Sequence, residues 1–432
     1  MNNNNFGEFI YNLVEEFYSS YILKSSKPQQ NQWTVISAII LENNNKYKII
    51  SFSNGTKSLP NINYKSRKFQ IFDCHAEILA LRCFKFFLLN ALCYHLDKFN
   101  KKNLLNKNEF DLFNSQNEFF DIFEYNKISN KFILKKCVNF HLYISENPCG
   151  ECSNIIYNNN NQENLNEMTG SKSLEECLDF IDKNKIIDLK QKKIEKKLEY
   201  NFMTKSIRSD FKINNLSYSL SCTDKIMLRN ILGYQGKYLS SILEQIYLNS
   251  ITINTSLINT KENINKFKNC INYNFRKKIE NNICSIPEIY LINHKNDTYN
   301  FKEKNEKNSL PFSSYWYFPN NVKKVDPSNG IKTGGNIKNI DNIDFLRVKI
   351  SNYDFCKNLF NLMINFKNKK IFKKVINKIE KSIMNNINNV DFCDLIELSL
   401  DSKYIELKKK IQDENKDVKD FIGKKRKILK IG

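Results

Sequence analysis

Phe72-Asp73-Cys74-His75-Ala76-Glu77, running on into Ile78-Leu79-Ala80-Leu81-Arg82-Cys83-Phe84, is the passage from which the chain is best read. A histidine and a glutamate two residues apart open a long apolar run. The spacing predicts a helix from His75 to Leu96, with both polar side chains at its start. A lone histidine at a helix start is ordinarily structural. Here a second stretch changes its meaning.

That stretch is Pro148-Cys149-Gly150-Glu151-Cys152, which follows an apolar strand pattern, Cys137 to Ile144. His-x-Glu followed by Pro-Cys-x-x-Cys is the arrangement of the zinc-dependent base deaminases, in which the glutamate moves protons and does not touch the metal. A catalytic zinc takes three protein ligands and leaves one position for water, whose pKa it lowers. His75 offers an imidazole. Cys149 offers a thiolate at an expected helix start, where the dipole favours the charge. Two residues compete for the third place, Cys152 one turn on and the distant Cys222, and the spacing alone leaves that choice open. For an aminopurine, water adds at C6 and ammonia leaves, with Glu77 as the proton shuttle.

The chain has 432 residues, 41% of them hydrophobic, enough for a sizeable core. No apolar run reaches the length of a membrane span, and the N-terminus lacks the basic-then-apolar order of a signal peptide. Twelve cysteines without dense spacing are expected to be reduced, in the nucleus or the cytoplasm. Sixty-seven basic residues against 46 acidic ones give a net charge of +21, which favours a polyanionic partner. Asn, Lys and Ile are abundant throughout, so part of that charge is compositional drift.

Phe6 to Leu23 has helical spacing, and Lys24 to Gln32 reads as a polar linker. Trp33 to Leu41 is a nearly continuous β-branched run, a buried strand, with Tyr47 to Phe52 as its hairpin partner. Gly55-Thr56-Lys57 follows at a strand end, where ligand contacts are common. Residues 97–131 and 158–200 are rich in Asn and Lys with weak periodicity and are expected to be insertions, the first on the surface, the second containing a charged helix over Lys183 to Lys197. Strands are expected at Ile246 to Ile253, Pro287 to Ile292 and Tyr315 to Phe318, a turn at Asp326 to Gly330, and helices from Tyr353 onward. His95, His141 and His294 have no partner pattern and read as structural, and Trp33 and Trp316 as core. From periodicity alone the fold class is α/β.

Ser221-Cys222-Thr223-Asp224-Lys225, followed by Leu232-Gly233-Tyr234-Gln235-Gly236, resembles the Ser-Cys-Ser-Asp-Lys…Leu-Gly-x-Gln-Gly segment of the RNA adenosine deaminases. Three separated blocks thus occur in the order of that family, from Trp33 to the tail. The resemblance implies a cytidine-deaminase-like core, a mixed sheet flanked by helices, in one editase domain over 1–432. It implies zinc on His75, Cys149 and Cys222, with Cys152 a half-buried helix residue, and Glu77 as the catalytic proton carrier. It implies contact of Thr56 and Lys57 with the target nucleotide. Only 74 residues precede His75. They leave no room for a separate double-stranded-RNA-binding domain beside the first helix and hairpin, and Gln32-Trp33-Thr34…Ala38 looks like the tRNA branch. The expectation is adenosine-to-inosine conversion in tRNA, with no DNA and no membrane partner. The rivals are an mRNA or cytosine deaminase of the same chemistry and a silent RNA-binding subunit.

The family also encloses an inositol hexakisphosphate. Carried over by position, Arg82, Lys205 and Lys225 match its cage, and Tyr404, Lys408 and Lys424 match more loosely. Asp73 and Lys205 would link the active site to the phosphates. The sequence departs from the family at Leu81 and Leu228, where Arg is usual, at Arg229 and Phe421, where Trp is usual, and at Glu151, where Asp is usual. Arg229 is positioned to replace a missing guanidinium. The tail Lys424 to Lys427 is basic enough for nuclear import, RNA contact or the cage.

Overall fold

The computed structural model describes residues 3–60, 68–100, 115–159, 171–173, 202–206, 216–277, 284–294, 308–335, 346–366, 372–373, 376–377, 400–415 and 419. The chain opens with α1 (Asn3–Tyr21) and an antiparallel hairpin, β1 (Ile36–Asn43) and β2 (Lys46–Asn54). Next come α2 (Ala76–Asn100), a second hairpin of β3 (Phe123–Asn126) and β4 (Lys131–Leu134), then β5 (Val138–Ile144) and α3 (Glu151–Asn159). A small sheet of β6 (Ser171–Ser173), β7 (Met203–Ser206) and β8 (Leu216–Leu220) leads into α4 (Cys222–Leu232). The remaining strands of the main sheet are β9 (Ser250–Asn254), β10 (Glu288–Ile292), β11 (Ser313–Tyr317), β12 (Lys323–Asp326) and β13 (Ile331–Lys332), followed by α5 (Asn352–Asn365) and α6 (Ser402–Asp413).

Eight strands form one mixed sheet in the order β10-β9-β5-β1-β2-β11-β12-β13. The β5, β9 and β10 strands are parallel, and pairing is antiparallel from β5 through β1 outward. Helices cover both faces, and for that reason β1 reads as a continuous hydrophobic run where a strand with one wet face would alternate. On one face Ile10, Val14 and Tyr18 of α1 pack on Ala38, Phe52, Tyr143 and Trp316. On the other, α2 sinks Phe84, Phe87 and Leu88 into a core with Ile39, Leu41, Phe140 and Leu142. Among the described residues no helix is long and apolar enough to cross a membrane.

Within 97–131, the described residues from 115 on depart from the expected surface insertion. Phe119, Phe120, Ile122 and Phe123 are buried, in the core that packs α2 on the sheet. The β4 strand bridges Leu243, with Phe132 N–H donating to the Ile242 carbonyl (2.8 Å). Within 158–200, the described residues Ser171–Ser173 pair with Met203–Lys205. The expected helix at Lys183 to Lys197 lies outside the described residues.

Candidate active site and metal centre

The site lies at the sheet edge where β2 ends and where β5 and β9, parallel to each other, end. The antiparallel register sets Ile36 against Asn54 and Ser37 against Ile144. Two backbone bonds fasten the loop after β2 to the segment before α2: Ala76 N–H donates to the Gly55 carbonyl and Cys74 N–H to the Lys57 carbonyl (both 3.0 Å). Gly55 is required there. Its φ is +152°, and a Cβ would stand 2.1 Å from the Cys74 carbonyl oxygen. Thr56 and Lys57 are thereby fixed beside the start of α2, Thr56 half-buried and Lys57 exposed.

Cys149 is brought to Cys222 by close contact of two helix starts. Gly150 has φ +103°, and a Cβ there would lie 2.4 Å from Ser221 Oγ. The left-handed glycine moves the start of α3 to Glu151, two residues beyond the expected start at Cys149. Thr223 ties the turns together: its N–H donates to the Cys149 carbonyl (3.1 Å), its Oγ1 also donates to that carbonyl (2.9 Å), and Cys152 N–H donates to the same Oγ1 (3.3 Å). Ser221 caps α4, accepting from Asp224 N–H (3.1 Å).

His75, Cys149 and Cys222 place one ligand atom each within 4.8 Å of one another. His75 Nδ1 is 3.6 Å from Cys222 Sγ. Two donors of one tetrahedral zinc, at the usual Zn–N and Zn–S distances, are separated by roughly 3.6 Å. An imidazole and two thiols are moreover the borderline-soft donor set that zinc prefers, so the residues fit the metal. Burial opposes ionisation of Cys149, but its hydrogen bond with Cys222 and the nearby positive charge of Lys205 bring its thiol well below the usual range. Burial pushes Cys222, beside that thiolate, well up. Cys152 stands apart from this group. It is 1% exposed, buried beyond the half-buried expectation, and belongs to the main hydrophobic core. Glu77, in the first turn of α2, is 3% exposed, and its charge is felt by both Cys222 and Lys205.

Asp73 organises the floor. It accepts from Lys205 Nζ (2.7 and 2.9 Å), Ser219 Oγ (3.1 Å), Lys225 Nζ and the His75 N–H (3.1 Å). Burial alone would raise its carboxyl, yet the Lys205 and Lys225 ammoniums hold it well below the carboxylate range. Lys205 Nζ also lies 3.0 Å from Cys222 Sγ. Lys205 therefore spends its donors on Asp73 and Cys222, joining the ligand set to Asp73 and standing behind the cation group described next.

Beyond Asp73, Lys225 of α4 is joined by three more cations: Arg82 and Lys85 of α2, and Arg229 of α4. Burial lowers every one of them. Arg82 and Arg229 depress Lys85 further, and Arg229 does so to Arg82. Arg82 Nη1 donates to the Ile350 carbonyl (3.1 Å) and Asn352 Oδ1 (3.0 Å), but Arg229 Nη1 is buried with no hydrogen-bond partner among the described residues. Burial raises the half-buried Tyr404, near Arg229, to about 12. Lys408, one turn along α6, is exposed, and Lys424 lies outside the described residues. Leu81 and Leu228 leave this ring, Leu81 for the main core and Leu228 for a smaller one with Met227 and Ile231. Sequence reading missed Lys85, which the one-turn spacing from Arg82 could have revealed, and Ser219.

The other three histidines and both tryptophans are structural. His141 bonds Ser250 Oγ (2.8 Å) and Glu42 (3.1 Å), His95 packs edge-on against Phe132, and His294 stacks on Tyr11. Trp33 and Trp316 are 5% and 4% exposed.

An α/β deaminase-type sheet with a His-Cys-Cys cluster at the helix starts defines the class. Residues 51–414 match the adenosine-deaminase (editase) domain, and the chain belongs to that family. The chain is 29% identical over 225 residues to the tRNA-specific adenosine deaminase 1 of Saccharomyces cerevisiae, covering 47% of this chain and 48% of that protein. It is 27% identical over 235 residues to the protein of the same name from Schizosaccharomyces pombe, with 52% and 50% covered. It is also 27% identical over 229 residues to the mouse double-stranded RNA-specific adenosine deaminase, covering 51% of this chain and 17% of the mouse protein. The chain thus spans half or less of the length of these relatives.

Proposed function

We propose that this chain hydrolyses the 6-amino group of adenosine in tRNA, consuming one water and releasing inosine and ammonia, with zinc held by His75, Cys149 and Cys222. The observation that carries the reading is the convergence of those three donors beside the buried Glu77. Zinc, when bound, supplies the Lewis acidity that brings a water's pKa toward neutrality. Glu77 accepts a proton from the attacking water, passes it to the ring nitrogen, and later protonates the departing amine. Lys205, itself held by Asp73, positions the Cys222 sulfur through a direct contact. Thr56 and Lys57, fixed at the site's rim, are suited to the ribose and phosphate of the target nucleotide.

Two features favour tRNA. Tryptophan and threonine at Trp33-Thr34 match the tRNA branch, and both yeast relatives carry that specificity in their names. An anticodon loop also presents unstacked bases, so extruding one costs little. The partly accessible, mutually repelling Arg82, Lys85 and Arg229, with Lys225 beside Asp73, suit a buried polyanion such as inositol hexakisphosphate. Tyr404 borders it, Lys205 reaches it through Asp73, and Lys408 and Lys424 are further candidates. Uncompensated buried cations are otherwise strongly unfavourable.

The test is nucleoside mass analysis of alanine tRNA and of a long RNA duplex after incubation with the wild type and with Glu77→Gln. Inosine in tRNA with the wild type, and none with Glu77→Gln, is expected. Inosine in the duplex alone would reassign the substrate, and equal inosine with both proteins would refute the role of Glu77.

A further inference from the structure

Lys24 to Lys27, which reads as part of a polar linker, is a built element. It forms one 3-10 turn, with Ser26 N–H donating to the Leu23 carbonyl (2.8 Å) and Lys27 N–H to the Lys24 carbonyl (3.1 Å). Ser26 is 2% exposed. Its carbonyl accepts Asn54 Nδ2 (2.9 Å), while Asn54 Oδ1 accepts Ser314 N–H (2.7 Å). Asn54 immediately precedes Gly55-Thr56-Lys57. The turn is therefore pinned to the residue next to the loop at the rim of the site.

The same turn is held from a second side. Asn54, Ser314 and Lys324 lie opposite one another in neighbouring strands, one row across β2, β11 and β12. Two strand spacings put the Lys324 backbone about 10 Å from that of Asn54. Lys324 Nζ donates to the Ser25 carbonyl and sits 4.3 Å over the Phe312 ring. Lys27 Nζ donates to the Ser19 carbonyl (3.0 Å) and sits 4.9 Å over the Tyr18 ring. Both ammoniums are oriented by neutral carbonyls and rings, and each keeps donors to spare.

The charges also lack carboxylate partners. Burial and the nearby Lys24 charge lower Lys27, and the weaker influence of Glu15 opposes them. Lys24 and Lys57 are exposed. Among the described residues none of Lys24, Lys27, Lys57 and Lys324 is within ion-pairing distance of a carboxylate, unlike Lys46, Lys98, Lys131, Lys135 and Lys268 elsewhere on the surface. Like charges held together by backbone bonds, with no counter-charge, are what a phosphate-binding surface requires.

We propose that Lys24, Lys27 and Lys324 form a phosphate clamp for the RNA strand flanking the target nucleotide, continuous with Lys57 at the site. The proposal rests on the RNA reading above. It adds a surface on the α1 side of the sheet and assigns it the backbone of the strand, so the clamp supplies affinity without base specificity.

The experiment titrates a synthetic anticodon stem–loop RNA against the intact protein across a range of salt concentrations, for wild type, Lys24→Gln/Lys27→Gln/Lys324→Gln, the single variant Lys24→Gln and the remote control Lys127→Gln. Each lost phosphate contact flattens the slope of log affinity against log salt by about 0.7, so the triple variant loses about 2 units and binds roughly 100-fold more weakly at 0.1 M salt. Lys24→Gln, an exposed residue whose side chain holds nothing in place, loses about 0.7 and roughly fivefold. Lys127→Gln is expected to match wild type. An unchanged slope in the single and triple variants, with normal wild-type binding, would overturn the clamp and leave the RNA reading standing. An equal loss in Lys127→Gln would also overturn the clamp, by showing a diffuse charge effect. Failure of the wild type to bind the stem–loop would overturn both.

Discussion

The Asp73–Lys205 pair supports the whole site, and its strength follows from its surroundings. Lys205 is 2% exposed and Asp73 7%. Both carboxylate oxygens are within 2.9 Å of the ammonium. Removing one partner of a buried pair costs about 3–5 kcal/mol, because the other is left charged in a poor solvent. In Lys205→Met, Asp73 still has Lys225, Ser219 Oγ and the His75 N–H, so the loss belongs at the lower end, about 3 kcal/mol. Asp73→Asn leaves two ammoniums sharing a neutral amide, a similar loss. Because each single variant already abolishes the pair, the Asp73→Asn/Lys205→Met double variant should lose less than the sum, with a coupling of about 2 kcal/mol. Urea denaturation of the four proteins measures it. The pH dependence gives an independent check. The Asp73 carboxyl is depressed in the folded protein, so its contribution is present above the unfolded value near 3.9 and fades only as pH falls through the lower folded value. The coupling should therefore be flat from about pH 8 to pH 5. A coupling under about 0.5 kcal/mol, or one that faded between pH 7 and 5, would refute the reasoning.

Three further outcomes are expected. Gly150→Ala forces a Cβ against Ser221 and should drive the two thiol-bearing helix starts apart; zinc content after dialysis against a mild chelator should fall well below wild type while the fold, followed by circular dichroism, survives. Ser221→Ala removes the cap of α4 and the hydroxyl bonded to Asp224 Oδ2 (2.7 Å), which itself accepts Met203 N–H; unfolding should be easier by about 1–2 kcal/mol. Protein refolded without polyphosphate should gain thermal stability when inositol hexakisphosphate is added, about 2.7 kcal/mol at 100 times its dissociation constant. Arg229→Met should lose most of that gain; an equal gain in the variant would remove Arg229 from the cage.

What could be read in the sequence was the part carried by local pattern. His75-Ala76-Glu77 and Pro148-Cys149 each combine an element boundary with a chemical residue, and the strand before Pro148 gave its position. Cys222 was legible through its surrounding block, not through spacing, since 72 residues separate it from Cys149 and no periodicity bridges them. The hidden parts are those where long-range packing decides. Phe119 to Phe123 sits in Asn/Lys-rich text, yet its aromatics complete the core over α2. Gly150 looks helical by context, but the close approach of Ser221 demands a left-handed turn. Spacing alone sets Lys85 one turn from Arg82, but only the approach of Arg229 of α4 makes the two a cation group. Lys24 to Lys27 reads as linker because its anchors, Asn54 and Lys324, lie 28 and 299 residues away along the chain.

The account stands on which cysteines hold the metal. Zinc per chain, measured by atomic absorption on wild type, Cys222→Ala and Cys152→Ala purified alike, addresses this most directly. One zinc in wild type, a retained zinc in Cys152→Ala and its loss in Cys222→Ala are predicted. A retained zinc in Cys222→Ala with loss in Cys152→Ala would contradict the account.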